Sequence, residues 1–210
     1  MEINYYSVIT KGTWTVMSIG NLLPASQRLF VALRVPEPIG CALQNECKHY
    51  KIDIPFSKWT YSKDYHITLQ FLGDTESSKI HALCEALHRV ASELKPFMLE
   101  MGIWDIFGVP EAPRVLYKTV AGDLARLECL QHKIVESTVE LQFNKEARKY
   151  RPHITVARKY TGKNPFQRDL LISSSVAENL PWYVSEFVLF TTHIGAKPMY
   201  EVVEAFPIMN

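Results

Sequence analysis

The tripeptide His-Ile-Thr occurs twice in this 210-residue chain, as His66-Ile67-Thr68 and as His153-Ile154-Thr155, with the histidines 87 positions apart. Each copy lies inside an apolar, β-prone run. The first reads Tyr65-His66-Ile67-Thr68-Leu69-Gln70-Phe71-Leu72-Gly73 and the second Arg151-Pro152-His153-Ile154-Thr155-Val156-Ala157-Arg158. Residues i and i+2 of a strand point to one face. Each copy therefore places an imidazole beside a hydroxyl and turns its isoleucine to the other side. Two such strands brought face to face converge two histidines and two threonines on one cleft. The plainer alternative is two strands that each carry a half-buried His and a Thr for packing. The shared central Ile and the similar settings weigh against it.

The rest of the chain alternates between strand and helix patterns. An apolar run from Leu29 to Val35 ends at Pro36-Glu37-Pro38, which can open a helix. Residues 38–50 read as helix, with Ile39, Leu43 and Cys47 on one face. Trp59 leads through a polar turn into the first motif strand, 65–72, which Gly73-Asp74 closes. The clearest helix spans 76–94, with Ile80, Leu83, Leu87, Val90 and Leu94 on one stripe. Strands are expected at 97–107 and 114–120, a second long helix at 123–141, and the second motif strand at 152–158. After a polar loop come a weak helix and strands near 182–192 and 199–206. This order predicts an α+β fold: two pseudo-symmetric lobes, each an antiparallel sheet with helices on its outer face, around a central cleft. Residues 28–210 form that bilobal domain, and residues 1–27 read as an N-terminal extension of unknown role, or as an upstream start with Met17 as the alternative. A secretory signal would have a stronger apolar core than Trp14–Leu23 offers.

Charge and cysteines narrow the function classes. Lys and Arg number 23 against 22 Asp and Glu, for a net charge of +1. Long-range capture of duplex nucleic acid usually needs a basic face, so it is not expected. A small or single-stranded phosphate needs only a local Arg. Cys41, Cys47, Cys84 and Cys129 show no Cys-x-x-Cys spacing and read as reduced, mostly buried thiols of a cytoplasmic protein. No apolar run approaches the roughly 18 residues of a membrane span, so no membrane partner is expected. There is no His-Glu-x-x-His pattern and no Gly-rich phosphate loop; neither metal nor other cofactor is expected, and nucleoside triphosphate chemistry finds no support.

At the paired motifs the chain resembles the 2H phosphoesterase superfamily, and within it the bacterial and archaeal RNA 2',3'-cyclic phosphodiesterases, also called 2'-5' RNA ligases. The likeness covers roughly residues 28–208. Arg28-Leu29-Phe30-Val31-Ala32-Leu33 resembles the family's opening strand, Pro113-Arg114-Val115-Leu116-Tyr117 its mid-chain strand, and residues 151–158 its second motif. The resemblance implies that His66 and His153 are the catalytic pair, with His66 as general acid and His153 as base, and that Thr68 and Thr155 hold the phosphate. The implied partner is RNA or an oligonucleotide with a 2',3'-cyclic phosphate end, opened to a 2'-phosphate by a monomer. Reversal of the same step would join ends through a 2'-5' bond. Two other readings stay open: a phosphodiesterase for 2'-5' oligoadenylate or a small cyclic nucleotide, and a 2H-fold nucleotide- or RNA-binding protein without turnover.

The chemistry of the residues fits this independently. An unperturbed imidazole titrates near ~6.5, so two of them can serve as base and acid across one phosphorus at neutral pH. Threonine hydroxyls can donate to the non-bridging oxygens. Two further candidates lie five residues past each histidine, Phe71 to stack a base and Arg158 to neutralise phosphate. An odd offset turns both to the wrong face of a regular strand, so they reach the cleft only where the strand ends, twists or bulges. Their alternatives are a core Phe and a surface Arg. His49, His81, His88 and His132 read as surface residues. His193 lies near the end of a late strand; Arg114 and Tyr117 contact substrate or simply pack the strand, and Arg151, just before Pro152, is a candidate anchor for nucleic-acid phosphates.

Overall fold

A computed structural model describes residues 5–10, 13–18, 24–171 and 180–208. Ahead of the predicted domain, strands β1 (Tyr5–Thr10) and β2 (Thr13–Ser18) pair as a separate antiparallel hairpin. The predicted apolar stretch Trp14–Leu23 falls partly on β2, and its remainder lies outside the described residues.

Among the described residues the domain is a curled nine-stranded sheet with three α-helices. Its strands are β3 (Ser26–Arg34), β4 (Phe56–Trp59), β5 (His66–Glu76), β6 (Phe97–Val109), β7 (Ala112–Gly122), β8 (His153–Tyr160), β9 (Pro181–Val184), β10 (Glu186–Thr192) and β11 (Tyr200–Pro207). They run in the spatial order β11-β10-β3-β5-β8-β7-β6-β9, with β4 pairing β8 off this path. Every pairing in the sheet is antiparallel. The order is symmetric about the two central strands, which are the two that carry His-Ile-Thr. The chain crosses between the two halves of the sheet: β6 follows β5 in sequence but pairs β7 in the half that holds β8, and β10 follows β9 but pairs β3 in the half that holds β5.

Helix α1 (Glu37–Asp53) opens after Pro36 with a proline in its first turn and buries Ile39, Leu43, Cys47 and Tyr50. Helix α2 (Ser77–Ser92) buries Leu83, Leu87, Val90 and Ala91. Helix α3 (Leu124–Glu140) is capped by the Asp123 carboxylate, which accepts from the Arg126 N–H at 3.1 Å. These apolar stripes meet one face of the sheet, where Leu29, Val31, Leu33, Ile67, Leu69, Leu116, Ile154 and Val156 join them in a single large core. The opposite face carries a small cluster, Phe30, Ala32, Val188 and Phe190. That face holds the cleft.

Several expectations need correction. The run predicted as one strand near 182–192 breaks at Ser185 into β9 and β10, which pair β6 and β3 near opposite ends of the sheet. Joining those two strands through a single residue forces the sheet to curl. The first motif strand does not close at Gly73: it continues to Glu76, because Gly73 takes a φ of 76° next to an irregularity in the ladder. The thiols are free, but they are not mostly buried, since Cys41 and Cys129 are exposed. The weak helix after residue 164 is a short 3-10 turn, Arg168–Leu171, and residues 172–179 lie outside the described residues. Among the described residues, no helix is long and apolar enough to cross a membrane.

Candidate active site

Strands β5 and β8 meet at their N-terminal ends, where Ile67 is the register partner of Ile154. The central residues of the two motifs are thus paired with each other, both fully buried on the core face. Their antiparallel sense puts His66 on the side of Thr155 and His153 on the side of Thr68, all four on the opposite face. Beyond this point the strands part. Ala157, Arg158 and Tyr160 of β8 pair with β4 instead.

The ladders then explain how the residues five past each histidine reach the cleft. Along β3, Arg34, Ala32 and Phe30 oppose His66, Thr68 and Phe71, with a register shift that leaves Leu69 as an extra residue. Along β7, Thr119, Tyr117 and Val115 oppose His153, Thr155 and Arg158, with Val156 the extra residue. Each motif strand bulges three residues after its histidine. The bulge restores the parity that a regular strand would have lost. Leu69-Gln70 and Val156-Ala157 are accordingly consecutive buried pairs, while Phe71 and Arg158 are exposed. Phe71 is 63% exposed with its ring 5.9 Å from that of Phe30, so it is not a core residue. The six candidates His66, Thr68, Phe71, His153, Thr155 and Arg158 share one face of the sheet.

Both imidazoles are held in the same way. His66 Nδ1 lies 2.7 Å from the carbonyl oxygen of Asp64, and His153 Nδ1 lies 2.7 Å from that of Arg151. A carbonyl only accepts, so Nδ1 carries the hydrogen in each ring and Nε2 is left to take or give a proton. Burial pushes the His66 pKa down to about 4, opposed by the bond to Asp64 and assisted by the charges of His153 and Arg158. Burial also lowers the His153 pKa, again with a contribution from Arg158. Arg158 donates to the Thr155 hydroxyl at 3.4 Å, and its charge also reaches the Tyr200 hydroxyl across the cleft. It is the cation shared by both sides.

Aromatic walls complete the site, and of their members sequence reasoning marked only Tyr117. Beside His66 stand Phe30 and Tyr200, each with ring centroid 5.0 Å away, and Phe190 at 6.2 Å. Beside His153 stand Phe107 at 4.9 Å and Tyr117 at 5.2 Å. Tyr117 thus faces the site, and its hydroxyl donates to Asp105, which also accepts from Arg168 at 2.7 Å. Only the cross-strand register brings these rings in, which is why no local motif marks them. Arg114 is exposed on the other face of β7. His193 bonds Glu201 across the β10–β11 hairpin at 2.7 Å, and His81, His88 and His132 are exposed and lie beside Glu85, Glu204 and Glu136. A cavity of about 550 Å³ lies behind β3 and α1, lined by Arg34, Lys63, Trp182 and Glu186, and contains none of the six candidates. Among the described residues, no group of three His, Cys, Asp or Glu side chains is placed to hold a metal.

A curled antiparallel sheet with two His-Ile-Thr strands paired at its centre is the 2H phosphoesterase fold. The chain belongs to the 2'-5' RNA ligase superfamily, whose family model matches residues 40–195. It is 39% identical over 157 residues to an RNA 2',3'-cyclic phosphodiesterase of Geobacillus stearothermophilus, matching 75% of this chain and 49% of that one, so the chain spans about half of that relative's length. It is 32% identical over 179 residues to an RNA 2',3'-cyclic phosphodiesterase of Bacillus subtilis, covering 85% of this chain and 95% of the relative. Among solved structures it is similar to TT0787 of Thermus thermophilus, with a TM-score of 0.68, 26% identity, and 86% and 97% of the two chains covered. The Escherichia coli protein LigT in its apo form shares the fold, with a TM-score of 0.70 at 20% identity over 89% of this chain and all of that one.

Proposed function

We propose that residues 28–210 act as a metal-independent RNA 2',3'-cyclic phosphodiesterase that yields a 2'-phosphate end, with residues 1–27 an extension of unknown role. One observation carries the reading: two imidazoles on one cleft face each have Nδ1 committed to a carbonyl and Nε2 available. One Nε2 takes a proton from the attacking water as the new phosphorus–oxygen bond forms. The other gives a proton to the departing 3'-oxygen as its bond to phosphorus breaks. Thr68 and Thr155 donate to the non-bridging oxygens, and Arg158 balances their charge. Phe71, exposed at the rim, receives a base.

The resemblance makes His66 the acid and His153 the base. A His66 that titrates near 4 in the free protein is neutral at pH 7. The bound phosphate anion would then favour its protonation, so the acid is charged with the substrate rather than before it. Reversal through the same residues would make a 2'-5' bond. The proposed working form is a cytoplasmic monomer, in keeping with four free thiols.

The test is hydrolysis of a short RNA ending in 2',3'-cyclic phosphate, in the presence of a chelator, by wild type, His66→Ala and His153→Ala. The expected result is a 2'-phosphate product and a loss of about 10²–10⁴-fold in either variant. Turnover confined to 2'-5' oligoadenylate or a small cyclic nucleotide would move the proposal to that substrate. Nucleotide binding without any hydrolysis would replace the enzyme with a binding protein.

A further inference from the structure

We propose that Asp64 is a positioning residue for His66, fixing through one side chain and one carbonyl both the tautomer of that imidazole and the aromatic wall against it. Asp64 ends the 3-10 turn Ser62–Asp64 just before β5 and is 7% exposed. Its backbone oxygen accepts from His66 Nδ1 at 2.7 Å. Its carboxylate Oδ1 accepts from the N–H of Met199 at 2.9 Å and of Tyr200 at 3.3 Å.

Those two donors belong to the start of β11, far away in sequence. Tyr200 sets its ring edge-on to His66 at 5.0 Å and to Phe30 at 4.9 Å. The carboxylate therefore pins the strand whose first residue shields His66 from water, while the carbonyl of the same residue orients the ring. A buried carboxylate is costly unless it is hydrogen-bonded, and here backbone N–H groups supply the bonds. On the other side, Arg151 offers His153 the equivalent carbonyl from an exposed residue. The two histidines are thus held alike but shielded through different connections.

The inference rests on the proposed phosphodiesterase reading only for its kinetic arm. The experiment is a ¹⁵N NMR titration of the His66 ring in wild type, Asp64→Ala and Asp64→Asn, with kcat and KM measured alongside on the cyclic-phosphate RNA. Asp64→Ala keeps the carbonyl but releases its turn from β11. The His66 midpoint is therefore expected to rise by about one pH unit or more as water reaches the ring, with the other tautomer becoming populated as that carbonyl loses its fixed place. On the kinetic side, kcat is expected to fall about 10–100-fold while KM stays within about threefold. Asp64→Asn keeps an acceptor oxygen and is expected to recover both the tautomer and most of kcat. If Asp64→Ala does not fold, Asp64→Glu, which moves the carboxylate by one methylene, is expected to show the same upward midpoint and loss of kcat. A His66 titration and tautomer unchanged in the folded variant overturns the proposal. A wild type inactive on the RNA defeats the phosphodiesterase reading instead and leaves the NMR arm to decide the role of Asp64.

Discussion

Ile67 and Ile154, the central residues of the two His-Ile-Thr triplets, are direct cross-strand partners and are both fully buried. The residues that look least chemical in each motif are the ones that join the two halves of the sheet. Because the pair sits under four cleft-facing side chains, its packing sets the spacing of the histidines and threonines above it.

Truncating either isoleucine is therefore expected to cost about 2–5 kcal/mol of stability, as for a buried aliphatic side chain that leaves a cavity. The double variant Ile67→Ala/Ile154→Ala is expected to cost less than the sum of the singles, since the two side chains share one contact. Urea unfolding of the four proteins checks this. Strict additivity would mean that the pair is not energetically coupled.

The pH dependence of kcat/KM carries a definite sign. The proposed mechanism needs one imidazole neutral and one protonated, and burial with Arg158 lowers both values in the free protein, that of His66 to about 4. The singly protonated state is then most populated below the ordinary imidazole value of ~6.5. A bell-shaped profile with its optimum on the acid side of that value is expected, falling as pH rises through the higher of the two lowered pKa values. Arg158→Gln removes a cation that disfavours the charged rings, so both limbs should move to higher pH. The same change should lower kcat/KM by about 10²-fold through loss of the charge-assisted phosphate contact. A profile that keeps its position in Arg158→Gln would contradict this account.

Phe71 should separate binding from stability. Its ring is largely exposed, so Phe71→Ala is expected to change unfolding by no more than about 0.5 kcal/mol. Loss of a base-stacking platform is worth about 1–3 kcal/mol, which appears as a rise of at least about fivefold in KM for RNA substrates. Comparing an RNA with an abasic 3'-terminal cyclic phosphate tests the assignment, because that substrate should be indifferent to the substitution.

Beneath the cleft, Lys118 is fully buried, opposite Ile154 on β7. Its ammonium lies 3.6 Å from the Glu46 carboxylate and 4.4 Å above the Trp104 ring, whose Nε1 donates to the same carboxylate at 2.7 Å. Removing one member of a buried ion pair is strongly destabilising, so Lys118→Met is expected to cost about 3–5 kcal/mol. Adding Glu46→Gln, which leaves Trp104 an acceptor, should recover part of that loss. Thermal unfolding of the single and double variants checks it, and a double variant weaker than Lys118→Met would refute the charge-pair explanation.

The paired motifs, the helix stripes and the α+β order could be read without coordinates because each depends on local periodicity. Ile39, Leu43 and Cys47 share a face whatever surrounds them, and a strand places His66 beside Thr68 by its own geometry. Phe71 and Arg158 marked the limit of that reasoning. Their odd offset points away from the cleft in a regular strand, and only the extra residues Leu69 and Val156 turn them back. A bulge is a relation between two strands, so it has no signature in either one alone. The split at Ser185 has the same cause: the polar pair Ser185-Glu186 interrupts the β-prone run, but nothing local to it shows that the two ends pair with different neighbours.

What the sequence by itself determined is the set of groups: two imidazoles and two hydroxyls, each placed on a face by the two-residue period of a strand, with a guanidinium nearby in the chain. Tertiary structure alone decided their environment. It paired Ile67 with Ile154, brought Phe107 and Tyr117 against one ring and Phe30 and Tyr200 against the other, and tied Asp64 to the start of β11. The physical reason is range. Side-chain direction follows from backbone geometry over a few residues, whereas desolvation and hydrogen-bond partners depend on residues more than a hundred positions apart in the chain, as Asp64 and Tyr200 are.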